Sequence, residues 1–303
     1  MPSPATPGIG LCLLANTTWG LQVLYWPLFA ASKPVELLAH RFVWAALTCL
    51  IVAFALGRAP ELLALLRNRQ ALLYSSLAAL CLAISAGTYI YAISSHQVVQ
   101  SSLGLYLIPL MTAALSVLLF RERLGTWQWA AAALAIVATL ILAISYGQPP
   151  WIALTICVLT ATYAVIKKHA ALPALTGFTL EGLLMCGPAL IFLYWLSATG
   201  QQTVAAHSWK TVALIATSGL VTTVPLVANA AAINIAPLAT VGILQYLNPS
   251  LQLLIGITIG GEAVSGVQWL CLALIGCALS IFVTDSMRER TTPKNLASPT
   301  KGT

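Results

Sequence analysis

Residues Ala236 to Glu262 read APLATVGILQYLNPSLQLLIGITIGGE, an apolar run with Tyr246 and Pro249 part-way along it. The same frame stands 140 positions earlier, where Tyr106, Leu107, Pro109 and Glu122 occupy the places of Tyr246, Leu247, Pro249 and Glu262. The match continues without a gap from Gln128 and Trp129 onto Gln268 and Trp269, and upstream from Ala92 and Ile93 onto Ala232 and Ile233. An internal duplication accounts for both runs. About twenty apolar residues at 1.5 Å each cross a hydrocarbon core of roughly 30 Å. A proline inside such a helix removes a backbone donor where lipid offers no replacement. Corresponding interrupted helices in two halves of a membrane chain mark a transporter's binding site, so a break is expected in both copies.

Composition agrees with a membrane chain. Charged residues make up 7% of the 303, against the roughly 25% usual in soluble domains. With 59% hydrophobic residues and a mean hydropathy of +0.91, most of the surface must face lipid. The formal charge of +7 is spread through short loops instead of clustered on one face, which excludes a nucleic-acid surface and makes it a topology signal. Seven cysteines all lie inside apolar runs with no C-x-x-C pair and read as small hydrophobes, with neither disulfides nor a metal site. The first cation is Lys33, so the first apolar run lacks the charged start of a cleavable signal.

Ten apolar segments follow, at about 8–31, 36–57, 70–95, 99–120, 126–146, 149–167, 177–199, 209–234, 238–260 and 265–284. Threading them back and forth puts Arg58, Arg67, Arg69, Arg121, Arg123, Lys167, Lys168, Arg288, Arg290, Lys294 and Lys301 on one side, and only Lys33 and Lys210 on the other. The positive-inside rule then sets both termini in the cytoplasm. Five segments is an odd number, so the second copy enters from the opposite side and the repeat is inverted. The reading is all-α: ten transmembrane helices in two inverted five-helix repeats, 8–146 and 149–285, with a disordered cytoplasmic tail at 286–303.

Ionisable side chains inside spans are costly and mark function. Arg41 lies four to five residues into segment two, roughly 6–8 Å deep. It either holds an anionic group or gate carbonyl, with His40 as a proton-sensitive partner, or snorkels to the headgroups. Glu181 maps onto Arg41 by the 140-residue offset. Inversion places the two about 15 Å apart along the membrane normal, so each is expected to have its own partner. Tyr106, Pro109, Gln245, Tyr246, Asn248 and Pro249 form a second group, read as cavity lining or as kinks. Trp19, Trp44, Tyr89 and Tyr91 are candidate aromatic walls, while Trp26 is assigned to the interfacial belt. Asn229 and Asn234 are read as interhelical hydrogen-bonding residues, and Glu122 and Glu262 as solvated. No HExxH, Gly-rich phosphate loop, Gly-x-Ser-x-Gly or His/Cys cluster is present, which leaves catalysis, metals and cofactors without a motif.

The runs Leu38-Ala39-His40-Arg41, Glu122-Arg123-Leu124, Ala174-Leu175-Thr176-Gly177-Phe178-Thr179-Leu180-Glu181 and Leu244-Gln245-Tyr246 carry a family likeness. On them the chain resembles the RarD-type permeases of the EamA family, in the drug/metabolite transporter superfamily, over nearly all of residues 8–285. The resemblance implies an inner-membrane fold of two inverted five-helix repeats, with segments one, three, four, six, eight and nine around a cavity. It implies transport of a small metabolite or drug-like molecule, with that molecule and the lipid bilayer as partners and no cofactor. Where the family carries Asn before the segment-four proline, this chain has Ile108. A non-transporting membrane assembly or sensor protein is the alternative, and it would need neither Arg41 at depth nor polar residues at Gln245 and Asn248. Oligomeric state is left open.

Overall fold

Lipid leaves open backbone without hydrogen-bond partners, so a chain of this composition must satisfy itself helix by helix. The computed structural model describes residues 5–29, 32–95, 98–122, 125–146, 151–204, 209–259 and 266–291, and every regular element among them is helical. In order these are α1 (Ala5–Leu21), two 3-10 turns (Gln22–Leu24 and Trp26–Phe29), α2 (Pro34–Ala55), α3 (Ala59–Arg67), α4 (Arg69–Ser94), α5 (Val98–Phe120) and α6 (Thr126–Tyr146). They continue with α7 (Trp151–Ala170), α8 (Ala174–Ala198), α9 (Trp209–Ile235), α10 (Leu238–Leu244), α11 (Leu247–Thr258) and α12 (Gly266–Thr291). Five of them, α2, α4, α7, α8 and α9, are long and apolar enough to cross a membrane, and Gly104–Phe120 and Thr126–Ile141 are shorter apolar stretches. Their outer faces are greasy: Ile144 is 79% exposed and Leu118 73%, an arrangement that only lipid makes favourable.

The 140-residue offset reappears in the helix boundaries. α2, α4, α5 and α6 begin at 34, 69, 98 and 126, and α8, α9, α10 and α12 begin at 174, 209, 238 and 266, each 140 later. The helix pairings exchange in the same way. α1 packs on α9 as α7 packs on α4, and α2 on α9 as α8 on α4, while α2 with α8, α6 with α12 and α5 with α10 pair a helix with its own counterpart. α2 is seated between α8 and α9 with almost no gap. A Cβ at Gly219 would stand 2.5 Å from the Trp44 carbonyl oxygen, a separation only glycine allows.

Four features differ from expectation. The helix break occurs in one copy only: α5 runs uninterrupted through Pro109, whereas its counterpart splits into α10 and α11 at Gln245–Tyr246. There the Gln245, Tyr246 and Asn248 amides donate to carbonyls three residues back, a tight turn. Pro249 then falls in the first turn of α11, where its missing N–H costs nothing. In α5 the proline sits mid-helix, which membrane helices absorb by local adjustment. The first segment also unwinds early. It is α-helical only to Leu21 and continues as 3-10 turns, with Pro27 inside the second. Finally, the stretch taken as a loop after segment two forms α3, with Pro60 at its start, Glu61 in its first turn and Arg67 in its last. It buries Leu62 and Leu65 against Leu180. α12 extends to Thr291, six residues into the expected tail, while Glu262 and residues 292–303 lie outside the described residues.

Candidate functional site

Arg41 is on the face of α2 that meets α9 and the 3-10 turns after α1. Its guanidinium carbon lies 4.4 Å from the centroid of the Trp26 ring, and its Nε donates to Thr222 Oγ1 at 3.4 Å. The Tyr25 and Tyr89 hydroxyls also act on it electrostatically. Among the described residues no carboxylate pairs with it. Glu36, on the same helix, spends its oxygens elsewhere: Oε2 accepts from the Thr203 amide at 2.8 Å and from its hydroxyl at 2.5 Å, and Oε1 from the Val204 amide at 3.1 Å. His40 lies in the field of Glu36, one turn along. The unwound end of α1 builds the wall opposite. Gln22 Nε2 donates to the Val221 carbonyl at 2.7 Å, Tyr25 Oη to the Leu214 carbonyl at 2.9 Å, and Trp26 Nε1 to Gln22 Oε1 at 3.4 Å. Trp26, assigned to the belt from its position in the sequence, is thus a ring beneath a cation.

Glu181 has separate partners, as the depth argument required. It is 2% exposed and pairs with Lys167, whose Nζ lies 2.5 Å from Oε1, while Tyr163 Oη donates to Oε2 at 3.2 Å. Lys167 is 5% exposed and Tyr163 4%, so the triad is dry. Beside it Lys168 Nζ donates to the Ile233 and Ala236 carbonyls at 2.9 and 2.6 Å, closing the C-terminal end of α9. Glu122 grips the next helix: its two oxygens accept from the Leu238 and Ala239 amides, both at 2.8 Å, at the positive end of α10. The turn that delivers Glu122 puts Arg121 at φ 52, left-handed without a glycine. Asn234 Nδ2 donates to the Leu172 carbonyl at 2.7 Å, which ties α9 to the connection between α7 and α8 and not, as expected, to another helix.

The remaining candidates divide. Tyr106, 8% exposed, and Tyr246, 1% exposed, stand together in the core cluster with Ala131, Ala135 and Ile275, and the Tyr246 hydroxyl lies against Thr139. Pro109 and Pro249 are buried. Asn248 Oδ1 accepts from Gln252 Nε2 at 2.8 Å, and the same nitrogen reaches the Trp19 carbonyl at 3.5 Å. Gln245 Oε1 is buried and accepts no hydrogen bond. Tyr91 is 50% exposed and flanks an open groove of about 400 Å3 with Ile84, Gly87, Thr88 and Trp151 on the outer surface, away from Arg41. Tyr89, the other candidate wall two residues earlier, is the one that acts on Arg41, since residues two apart on a helix project to opposite faces. Sequence reasoning missed Lys167, Lys168 and Glu122, which were assigned to topology or solvent, and gave Glu36 no role.

Comparison with known proteins adds a family. Residues 6–144 match the EamA-like transporter family. A protein called RarD from Streptomyces exfoliatus is 39% identical, covering 93% of each chain. An uncharacterized transporter of Vibrio cholerae is 32% identical over 94% of each, and the RarD protein of Escherichia coli is 29% identical over 95% of this chain and 97% of its own. A crystal structure sharing 19% identity superposes with a TM-score of 0.72 over 93% of this chain and 98% of that one, a likeness of fold.

Proposed function

The chain belongs to the EamA-like transporter family, as a permease of the RarD type, and we propose that it moves a small metabolite or drug-like molecule by alternating access between two inverted five-helix repeats. Residues 8–146 and 149–285 are the two repeats, and the cation count sets both termini in the cytoplasm of a cell whose inner membrane holds the protein. The coincident helix starts and exchanged pairings support the repeat. Without a nucleotide motif, the driving force is a gradient.

One observation carries the reading: Arg41 is inside a span, over an aromatic ring and without a carboxylate partner among the described residues. A structural cation at that depth would be neutralised. One left open can take a carboxylate or another anionic group from a substrate, with Trp26 packing beside it. Glu181 with Lys167 and Tyr163 forms the opposite gate, and the break before Pro249 is a hinge. The test is uptake and efflux in reconstituted vesicles across a panel of amino acids and amphenicols. Arg41→Ala should insert normally and lose transport by at least tenfold, and Arg41→Lys should recover little because a point charge replaces the planar fork. Full transport by Arg41→Ala would return the residue to headgroup anchoring.

A further inference from the structure

Three amide side chains in α1, α9 and α10 contain an acceptor with nothing to accept. Asn16 is 0% exposed and Asn229 4%, and in both Oδ1 is buried with no hydrogen bond. Gln245 Oε1 is in the same condition at the C-terminal cap of α10. The donor half of Asn16 is occupied, since its Nδ2 donates to the Cys12 carbonyl at 2.8 Å, so its oxygen is what it has left to offer.

The three stand at one level of the bundle. α1 and α9 run antiparallel, with Gly8 against Ala236 at one end and Gln22 Nε2 on the Val221 carbonyl at the other. Halfway between those contacts, residue 15 of α1 faces 228–229 of α9. α1 and α10–α11 run parallel, tied by Cys12 Sγ to the Val241 carbonyl at 3.8 Å and by Gln252 Nε2 to the Trp19 carbonyl at 3.5 Å. Halfway between these, residues 15–16 face 246–247. Asn16, Asn229 and Gln245 therefore ring one depth, within a helical turn of each other.

Among the described residues no cation fills that level. Lys168 is spent on the Ile233 and Ala236 carbonyls one turn away. Arg41 meets α9 at Thr222, seven residues or about 10 Å along the helix from Asn229. A buried amide oxygen without a donor is costly, and since none of the described residues donates to these three, the level has room for a donor from outside.

We propose that Asn16, Asn229 and Gln245 form a subsite for a monovalent cationic group. Neutral amide oxygens suit two such groups, the ammonium of an amine-bearing substrate and a desolvated alkali cation such as sodium. Both need several oxygens and neither needs a carboxylate. With Arg41 bonded to α9 at Thr222, about two turns from Asn229, the transported molecule meets a cation-accepting level and an anion-accepting level in succession. The proposal takes its biological use from the transporter reading, while the binding it requires does not depend on transport.

The test is therefore equilibrium binding by the full-length protein in nanodiscs, read as the shift in unfolding temperature at constant ionic strength with methylammonium, sodium or tetramethylammonium chloride. Methylammonium or sodium should raise the unfolding temperature in a saturable way, and tetramethylammonium, which has no N–H and is too large, should not. Methylammonium alone assigns an amine substrate, sodium alone a coupling ion, and both a general monovalent site. Asn16→Leu and Asn229→Leu should weaken apparent binding at least tenfold, and Asn229→Asp should tighten it by a similar factor. Equal shifts with all three salts, or saturable binding unchanged in Asn229→Asp and Asn16→Leu, would overturn the subsite. If the leucine variants do not fold, the wild-type salt series and the aspartate variant decide. Cation binding without vesicle transport would remove the transporter reading and leave the subsite standing.

Discussion

Arg41 and Glu181 occupy the same place in the two copies, 140 residues apart, and the protein treats them in opposite ways. Glu181 is closed in by Lys167 and Tyr163, all three at most 5% exposed. Arg41 has an aromatic face and a threonine hydroxyl but no carboxylate among the described residues. The surroundings follow suit. Around Glu181 the ends of α9 and α10 are clamped by charge, through Lys168 and Glu122. Around Arg41 the contacts are neutral, from Gln22, Tyr25 and Thr222, and the one nearby acid, Glu36, is committed to a loop. A charge already neutralised inside the protein is a fixed part of one closed end, whereas a charge left open can exchange partners. On the function proposed above, two positions equivalent by the 140-residue offset have become a lock and a receptor.

The largest effect should come from opening the lock. Lys167→Ala leaves the Glu181 carboxylate buried without its cation, and breaking a buried pair from one side costs about 3–5 kcal/mol. Replacing both partners, as Lys167→Met with Glu181→Leu, should recover most of that loss because no charge remains to be desolvated. Thermal unfolding of the single and double variants in detergent measures it. A single variant as stable as the wild type would mean that the pair is solvated and the two ends are alike.

Much of this asymmetry was hidden in the sequence, though its frame was not. Spacing alone gave the 140-residue offset that the helix starts repeat, and the expectation of separate partners for Arg41 and Glu181, because these are properties of order. Pairing is a property of space. Lys167 looks like a loop cation at a segment end, and only the close approach of α7 and α8 turns it inward. Trp26 has the sequence position of a belt residue, and the unwinding of α1 after Leu21 carries it under Arg41. Tyr246 and Tyr106 align in the two copies because both pack one core, a reason that spacing cannot tell from cavity lining. The break before Pro249 but not at Pro109 depends on where each proline falls in its turn, which is finer than an apolar run records.

A smaller effect is expected at the clamp beside the lock. Glu122→Ala removes two hydrogen bonds from a carboxylate to the first amides of α10, an N-terminal cap worth about 1–2 kcal/mol. Its signature is local: amide exchange should quicken at Leu238 and Ala239 while α2 and α8 stay protected. Glu122→Gln should fall between, since it keeps an acceptor and loses the charge. Unchanged exchange at α10 would make the clamp an ordinary surface contact and narrow the contrast between the two ends.

The smallest change in stability should come from Arg41→Gln, and it is the sharpest test of the contrast because it is the exact counterpart of Glu181→Gln. Neutralising Glu181 strands Lys167, a cation 5% exposed with no other acid to meet it, so the cost should approach that of Lys167→Ala. Neutralising Arg41 strands no opposite charge. Trp26 keeps its packing, Thr222 keeps a polar neighbour, and the penalty of holding a guanidinium away from water disappears. The loss of the ring contact, about 0.5–2 kcal/mol, is set against that relief, leaving a net change within about 1 kcal/mol of either sign. Unfolding temperatures of the two glutamine variants, measured side by side in the same detergent, give the comparison directly. If Arg41→Gln loses as much as Glu181→Gln, Arg41 has an internal counter-charge, and its role as the open site goes with it. If it is neutral or stabilising while transport is lost, the protein is holding a costly charge in the membrane for a ligand.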